Sequence, residues 1–404
     1  MRIWISSRRL IFAGLRGHKP RCYSAVTNNV ERVNVRLGLT GGITIDLHNI
    51  AKASPQSPLL IYLPPFSTAF ADKPAPLPKF IRGQPTAVIN YRWNGFSPFQ
   101  TRKPATPTST DESDKEEFSP ILSWPAPIHD TSAAYDWIVQ NLGPSGYARR
   151  DIYLYGSYLG ATLATSLALT ETHPHAPVAV RGCIALNGIY DWTRFLPDHR
   201  MNNPPKRGTT LKGSVSRSND PHFQELKQHV EALFVSPSGL FDPFASPTLF
   251  FRTPDLLVPP NFTTSALSPE ASSLANVSLP NPMTGEPTLV LTHPSKKLLV
   301  FPPRTSTLKI PKTLLLYTKK PSSLVRLKRE DSFQTQAQEL GWFMSGRVNK
   351  MGLDTRNKWD EYDSWEDSDV GTVRVHNVGP SSGDYALNSK GEELAATWLE
   401  DHTS

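Results

Sequence analysis

Cysteine is nearly absent from this 404-residue chain, which holds only Cys22 and Cys183. Two cysteines cannot build a disulfide framework or a cysteine-based metal site. Long apolar runs are missing as well. Even the stretch Leu59 to Leu63 is followed at once by Pro64 and Pro65, far short of the roughly 20 residues a membrane helix needs. Acids are absent from the first 30 positions, and six of the formal +7 charges come from Arg2, Arg8, Arg9, Arg16, Lys19 and Arg21, leaving a body of +1. A near-neutral body offers no electrostatic case for nucleic acid as a partner.

The acid-free start, MRIWISSRRLIFAGLRGHKPRCYSAV, alternates bulky apolar with basic residues and contains serines. This is the composition of a mitochondrial transit peptide. The order RCY then SAV places the expected cleavage between Tyr23 and Ser24, so residues 1–23 are removed on the way to the matrix. A secretory signal fits less well, because the run Leu10 to Leu15 contains a glycine and is too short for an apolar core.

Periodicity then gives the expected organisation. Val33 to Leu47 alternates apolar and polar residues on both sides of Thr40-Gly41-Gly42, the pattern of a β-hairpin. Leu59 to Leu63, Ala87 to Tyr91, Asp151 to Tyr155, Val180 to Leu186, Thr313 to Tyr317 and Thr372 to Val378 read as strands, several of them continuous apolar runs suited to burial on both faces. Between them, Asp130 is placed to cap a helix that runs to Leu142 and stops at Gly143. Leu159, Leu163 and Leu167 form one helical stripe, and another helix starts near Asp331 with Phe333, Ala337, Leu340, Met344 and Val348. Ser389 with Glu392 makes a capping-box pattern for the last helix.

Two stretches interrupt this rhythm. Ser97 to Pro120 is polar and rich in Pro and Ser, the composition of a surface loop. Residues 193–287 are again Pro- and Ser-rich around one amphipathic stretch, His222 to Phe234, and read as a cap inserted into a core of 24–192 and 288–404. Strands alternating with helices predict an α/β fold whose mostly parallel sheet is covered on both faces.

Asp151 to Leu169, DIYLYGSYLGATLATSLAL, carries the chemical question. A strand, a Gly-framed turn and a helix make up the Gly-x-Ser-x-Gly nucleophile elbow, where small residues two places either side of the serine let strand and helix approach. Gly156 and Gly160 frame Tyr158, not Ser157. A nucleophile at Ser157 would put Tyr155 and Leu159 at the positions that need to be small.

On these residues the chain resembles the α/β-hydrolase fold, in particular the branch related to hormone-sensitive lipase and its microbial esterases, over roughly residues 33–401. The resemblance implies an oxyanion loop after the Leu59 to Leu63 strand, where this chain has Pro64, Pro65, Phe66 and Ser67. Proline has no amide hydrogen, so two potential donors are missing. It implies an acid after the strand ending LLLYT, where Lys319, Lys320, Pro321 and Ser322 stand, with no carboxylate before Glu330 and Asp331. It implies a histidine just after the last strand, where His376 is the candidate base, although a strand-flank histidine is the simpler reading.

The remaining titratable groups have plain readings. Asp191 and the pair His129-Asp130 suit helix caps. Ser157 is readable as a turn hydroxyl bonded to a helix-terminal amide, and Tyr158 as a filler of substrate space with its hydroxyl on a backbone group. Basic runs at Lys319 and Arg326 are solvated faces. Asn261 and Asn276 match glycosylation sequons that have no meaning in mitochondria.

Three functions follow. The first is a non-catalytic protein that uses its pocket or cap to bind a small acyl or ester ligand or a mitochondrial protein. The second is a carboxylic-ester hydrolase working through Ser157 and His376, with no acid assigned. The third is a structural subunit of a mitochondrial assembly. None requires a cofactor or metal.

Overall fold

The computed structural model describes residues 25–27, 30–37, 41–68, 74–93, 122–144, 148–202, 220–256, 298–319, 331–356, 372–381 and 385–403. Among them, nine strands form one sheet in the order β1-β2-β3-β5-β4-β6-β7-β8-β9. The strands are β1 Ala25–Thr27, β2 Val30–Arg36, β3 Gly42–His48, β4 Leu59–Leu63, β5 Thr86–Asn90, β6 Arg150–Ser157, β7 Val178–Leu186, β8 Lys312–Thr318 and β9 Val373–Gly379. The expected hairpin is β2–β3, and β3 then pairs antiparallel with β5. From β5 to β9 all pairing is parallel.

Continuous apolar runs give strands buried on both faces because the period of two sends alternate side chains to opposite sides. On one face, Ile61, Leu63, Leu154, Cys183, Ala185 and Leu315 join a core built with helices α1 (Ala126–Leu142), α2 (Leu159–Glu171) and α5 (Phe333–Arg356). On the other, Tyr62, Tyr155, Leu186 and Leu316 pack with Trp398 and Leu399 of α6 (Ser389–Thr403). Two short helices, α3 (Pro221–Gln228) and α4 (Val230–Phe234), lie in the long connection from β7 to β8. No helix of the described residues is long and apolar enough to cross a membrane.

The structure corrects several local readings. Helix α1 starts at Ala126, so Asp130 is inside it and does not cap it. Asp130 is fully buried and grips Arg92, accepting from its backbone N and Nε at 2.8 and 2.9 Å and from Nη2 at 2.7 Å; long-range pairing overrode the local cap pattern. His129 is exposed on the same helix. At α6 the cap is Asn388, whose Oδ1 accepts from Gly391 N at 2.9 Å. Glu392 instead accepts from the backbone N of Lys79 and Phe80 at 3.0 and 2.8 Å, a contact invisible to local pattern.

The stretch His222 to Phe234 is two helices broken at His229 (φ −93°, ψ 5°). The break turns Phe234 onto Trp93 and Trp124 while Phe223 packs on Phe195 and Phe333. Residues 1–23, the stretch Ser97 to Pro120, the two sequons and the basic run at Arg326 lie outside the described residues.

Candidate active-site position

Strand β6 ends at Ser157 and α2 starts at Leu159, so the whole turn is one residue, Tyr158, at φ 51° and ψ −112°. A bulky side chain at positive φ is strained and persists only where its surroundings hold it. Two glycines make the turn feasible. A Cβ on Gly156 would collide with the backbone of Gly160 and Ala161, and one on Gly160 with the carbonyl oxygens of Leu63 and Pro64. Tyr158 N is tied to Leu186 O at 2.8 Å. The register read from the glycines therefore holds: the aromatic residue occupies the apex.

Tyr158 is 1% exposed. Phe66 stacks on it at 6.2 Å, and Tyr385, Phe333 and His222 meet its ring at 5.1, 5.5 and 5.8 Å between centroids. Its hydroxyl accepts from Asn187 Nδ2 at 3.1 Å, a side chain rather than the expected backbone group, and bonds Ser381. Asn187, itself at φ 51°, sits just past β7 and spans to β8: Nδ2 donates to Thr318 Oγ1 at 2.9 Å and Oδ1 accepts from Thr318 N at 2.8 Å. Burial pushes the Tyr158 phenol up to about 12, against the pull of Asn187 and Ser381, and the nearby Asp220 and Glu225 add to the rise. The phenol stays protonated at neutral pH and is a poor nucleophile.

The oxyanion position is closed from within. In a Gly-x-Ser-x-Gly elbow, the amide after the apex stabilises the developing negative charge. Here that amide, Leu159 N, donates to Pro65 O at 3.2 Å. The loop that supplies this carbonyl is pinned by Tyr91, whose hydroxyl donates to Pro64 O at 2.8 Å, and by Ser67 Oγ donating to Tyr91 O at 2.9 Å. Phe66, 1% exposed, covers the apex. The prolines remove two donors and their backbone consumes a third.

The other sequence candidates are not brought together. Ser157, Leu186, Leu316 and His376 occupy one row across the sheet in direct register. Paired residues in register point to the same face. Leu186 and Leu316 belong to the core opposite the one that holds Tyr158, so Ser157 and His376 face away from the elbow. Three inter-strand steps, about 14 Å, separate their backbones. Ser157 is buried against the phenols of Tyr62 and Tyr155, to both of which it is hydrogen-bonded, and is not a helix-terminal turn hydroxyl. His376 is exposed.

Lys319, at the expected acid position, is exposed and donates its backbone N to Gly379 O at 2.9 Å. Asp331 pairs with Arg194 at 2.8 Å. Asp191 does cap a turn, accepting from Thr193 N at 3.1 Å, and also pairs with Arg252 at 2.5 Å.

Sequence reasoning missed what stands over the elbow. His222, carried by α3, lies 4.2 Å from the Tyr385 ring, and Glu225 accepts from the Tyr385 hydroxyl at 2.6 Å while standing 3.7 Å from His222 Nδ1. No short-range signal ties residues 222 and 385 to 158. Asn187 had one signal, an Asn-Gly step right after a strand. A cavity of about 140 Å³ lined by Leu60, Phe80, Tyr153 and Leu399 belongs to the opposite face of the sheet.

A parallel sheet entered by an antiparallel hairpin, with β4 placed between β5 and β6 and a one-residue turn between β6 and α2, defines the α/β-hydrolase fold. The chain is an α/β-hydrolase-fold protein. No protein-family model and no curated protein sequence matches it. Solved structures that it resembles include carboxyl esterase 2 of the fungus Tuber melanosporum (14% identity, 94% of this chain and 88% of that one, TM-score 0.44). Others are an esterase of Pyrobaculum calidifontis (12%, 98% and 87%, 0.45) and esterase LipW of Mycobacterium marinum (11%, 100% and 87%, 0.44). At such identities and scores, the fold rests on the strand order and the elbow, and the activities of those esterases stay with them.

Proposed function

We propose that this is a mitochondrial α/β-hydrolase-fold protein that has given up acyl chemistry and acts by binding. The carrying observation is the pair of substitutions at the elbow: a buried phenol in place of the nucleophile, and Pro65 O in place of the oxyanion. Either alone lowers a rate, but together they remove both the covalent step and its charge stabilisation. The rings of Phe66, Tyr158, Phe333 and Tyr385 fill the space next to the apex, which favours a protein partner over a small acyl or ester ligand. Residues 193–287 are proposed as the cap that carries α3 over the elbow.

An ester hydrolase using Ser157 and His376 would need both side chains to change faces of the sheet, which requires a one-residue register slip of the buried strand β6 and of the edge strand β9. A fluorophosphonate probe tests this on the native protein. The expectation is no label at Ser157; labelling that disappears in Ser157→Ala would overturn the binding reading. Location has its own test, import of the radiolabelled chain into isolated mitochondria. Processing to a product that starts at Ser24 is expected, and an unprocessed, protease-sensitive chain would refute it. Native gel migration in a complex larger than the monomer would support a protein partner.

A further inference from the structure

The connection from β7 to β8 meets α5 at a group of buried charges that the elbow does not use. Asp191 is fully buried. Its Oδ1 accepts from the Thr193 hydroxyl and its Oδ2 from Arg252 Nη2, both at 2.5 Å. Arg252, 4% exposed, reaches Glu339 Oε1 from Nε at 3.2 Å. Arg194, 7% exposed, faces Asp331 at 2.8 Å, Asp191 at 3.7 Å and Glu339. Gln336 completes the joint: its Oε1 accepts from the backbone N of Tyr190 and Asp191 at 3.0 and 2.9 Å, and its Nε2 donates to Asp191 O at 3.3 Å. Three stretches far apart in sequence, residues 190–194, Arg252 and residues 331–339, are joined in this way.

Apolar burial accompanies the charges. Phe223, Leu226, Leu233, Phe234, Leu240 and Phe251 of the same connection are all at most 3% exposed. These contacts supply the holding energy, because hydrophobic burial is the dominant favourable term and buried ion pairs add little net stability. The ions add register. Any shifted docking would bury Asp191, Arg194 or Arg252 without a partner, which is strongly unfavourable.

We propose that this ionic seam is a lock: it fixes the described parts of the β7–β8 connection on α5 in one geometry, so that the α3–α4 unit, whose α3 sets His222 against Tyr158, does not open as a lid while the sheet stays folded. The inference goes beyond the binding reading and holds whether or not the protein has catalytic activity. Its consequence is that a partner meets the outer surface of this unit, and nothing reaches Tyr158 in the native state.

Hydrogen exchange on the full-length protein, followed by mass spectrometry, tests it. In the wild type, peptides spanning α3–α4 and residues 246–252 should exchange within about ten-fold of peptides from β6 and β7, since one opening event exposes both. In Arg252→Met the α3–α4 peptides should exchange about a hundred-fold faster while β6 and β7 stay protected, and Glu339→Gln should move them in the same direction. A wild-type α3–α4 unit exchanging a hundred-fold faster than the sheet would show a free lid and overturn the lock. Equal loss of protection in α3–α4 and sheet in Arg252→Met, or unchanged α3–α4 protection in both variants, would overturn it as well.

Discussion

Replacing Tyr158 by serine writes the residue of the Gly-x-Ser-x-Gly pattern back into a frame that already has both glycines, and it should restore no chemistry. The elbow would present a hydroxyl, but Leu159 N remains bonded to Pro65 O. One missing oxyanion donor is worth about 3–4 kcal/mol of barrier, or 10²–10³ in rate. His376 faces the opposite side of the sheet, and a serine oxygen would lie much closer to the backbone than the Tyr158 phenol that His222 now flanks.

The same change should cost stability. Removing a fully buried aromatic side chain from a core loses about 3–5 kcal/mol, a large share of the 5–15 kcal/mol that holds a typical domain. Tyr158→Phe separates the contributions: it keeps the ring and leaves Asn187 Nδ2 without the hydroxyl, for a cost of about 1–2 kcal/mol. Guanidinium unfolding monitored by tryptophan fluorescence gives the stability order wild type, Tyr158→Phe, Tyr158→Ser. Hydrolysis of p-nitrophenyl acetate by Tyr158→Ser should match the Tyr158→Phe background. A rate a hundred-fold above that background, or a stability loss below about 1 kcal/mol for Tyr158→Ser, would refute the closed-elbow reasoning.

Gly160→Ala should abolish soluble folded protein, because the new Cβ meets two backbone carbonyls that cannot yield without separating β4 from α2; normal expression with an unchanged unfolding midpoint would contradict the close approach. His199, 1% exposed beside Asp191, Asp255, Arg194 and Arg252, is held down to about 4 by burial. Its folded value lies below the ordinary 6.5, so the unfolded chain takes the proton first as pH falls. Stability is complete above about pH 6.5 and is lost progressively down to about pH 4, by roughly 3 kcal/mol. Burial pushes the Asp331 carboxyl up, and it acts in the opposite sense. The readout is therefore the difference between wild type and His199→Asn in unfolding free energy at pH 7 and pH 4.5; parallel curves would exclude the effect. Ser157→Ala should cost about 1–2 kcal/mol by removing the partner of two buried phenols, with no effect on any ester hydrolysis.

The sheet was legible because its information is local. Runs such as Leu59 to Leu63 and Val180 to Leu186 have few ways to hide except as strands covered on both faces, and the structure adds only a residue or two at their ends. The spacing of Gly156 and Gly160 alone placed Tyr158 at the apex. Local reasoning failed where a polar group had a distant partner. Asp130 looked like a cap and holds Arg92, and Glu392 looked like half of a capping box and closes on Lys79 and Phe80. In each case a long-range bond, buried at Asp130 and partly buried at Glu392, took the place of the local one.

What the order of residues determined by itself is the scaffold and the absence of a serine at its turn, because strand periodicity and glycine spacing act within a few residues. What only the tertiary structure decided is how the turn is closed. The donation of Leu159 N to Pro65, the anchoring of Tyr158 on Asn187, the separation of Ser157 and His376 from the elbow and the seam around Asp191 all join segments tens to hundreds of residues apart. Such contacts exist only after packing has chosen which buried polar groups must satisfy one another.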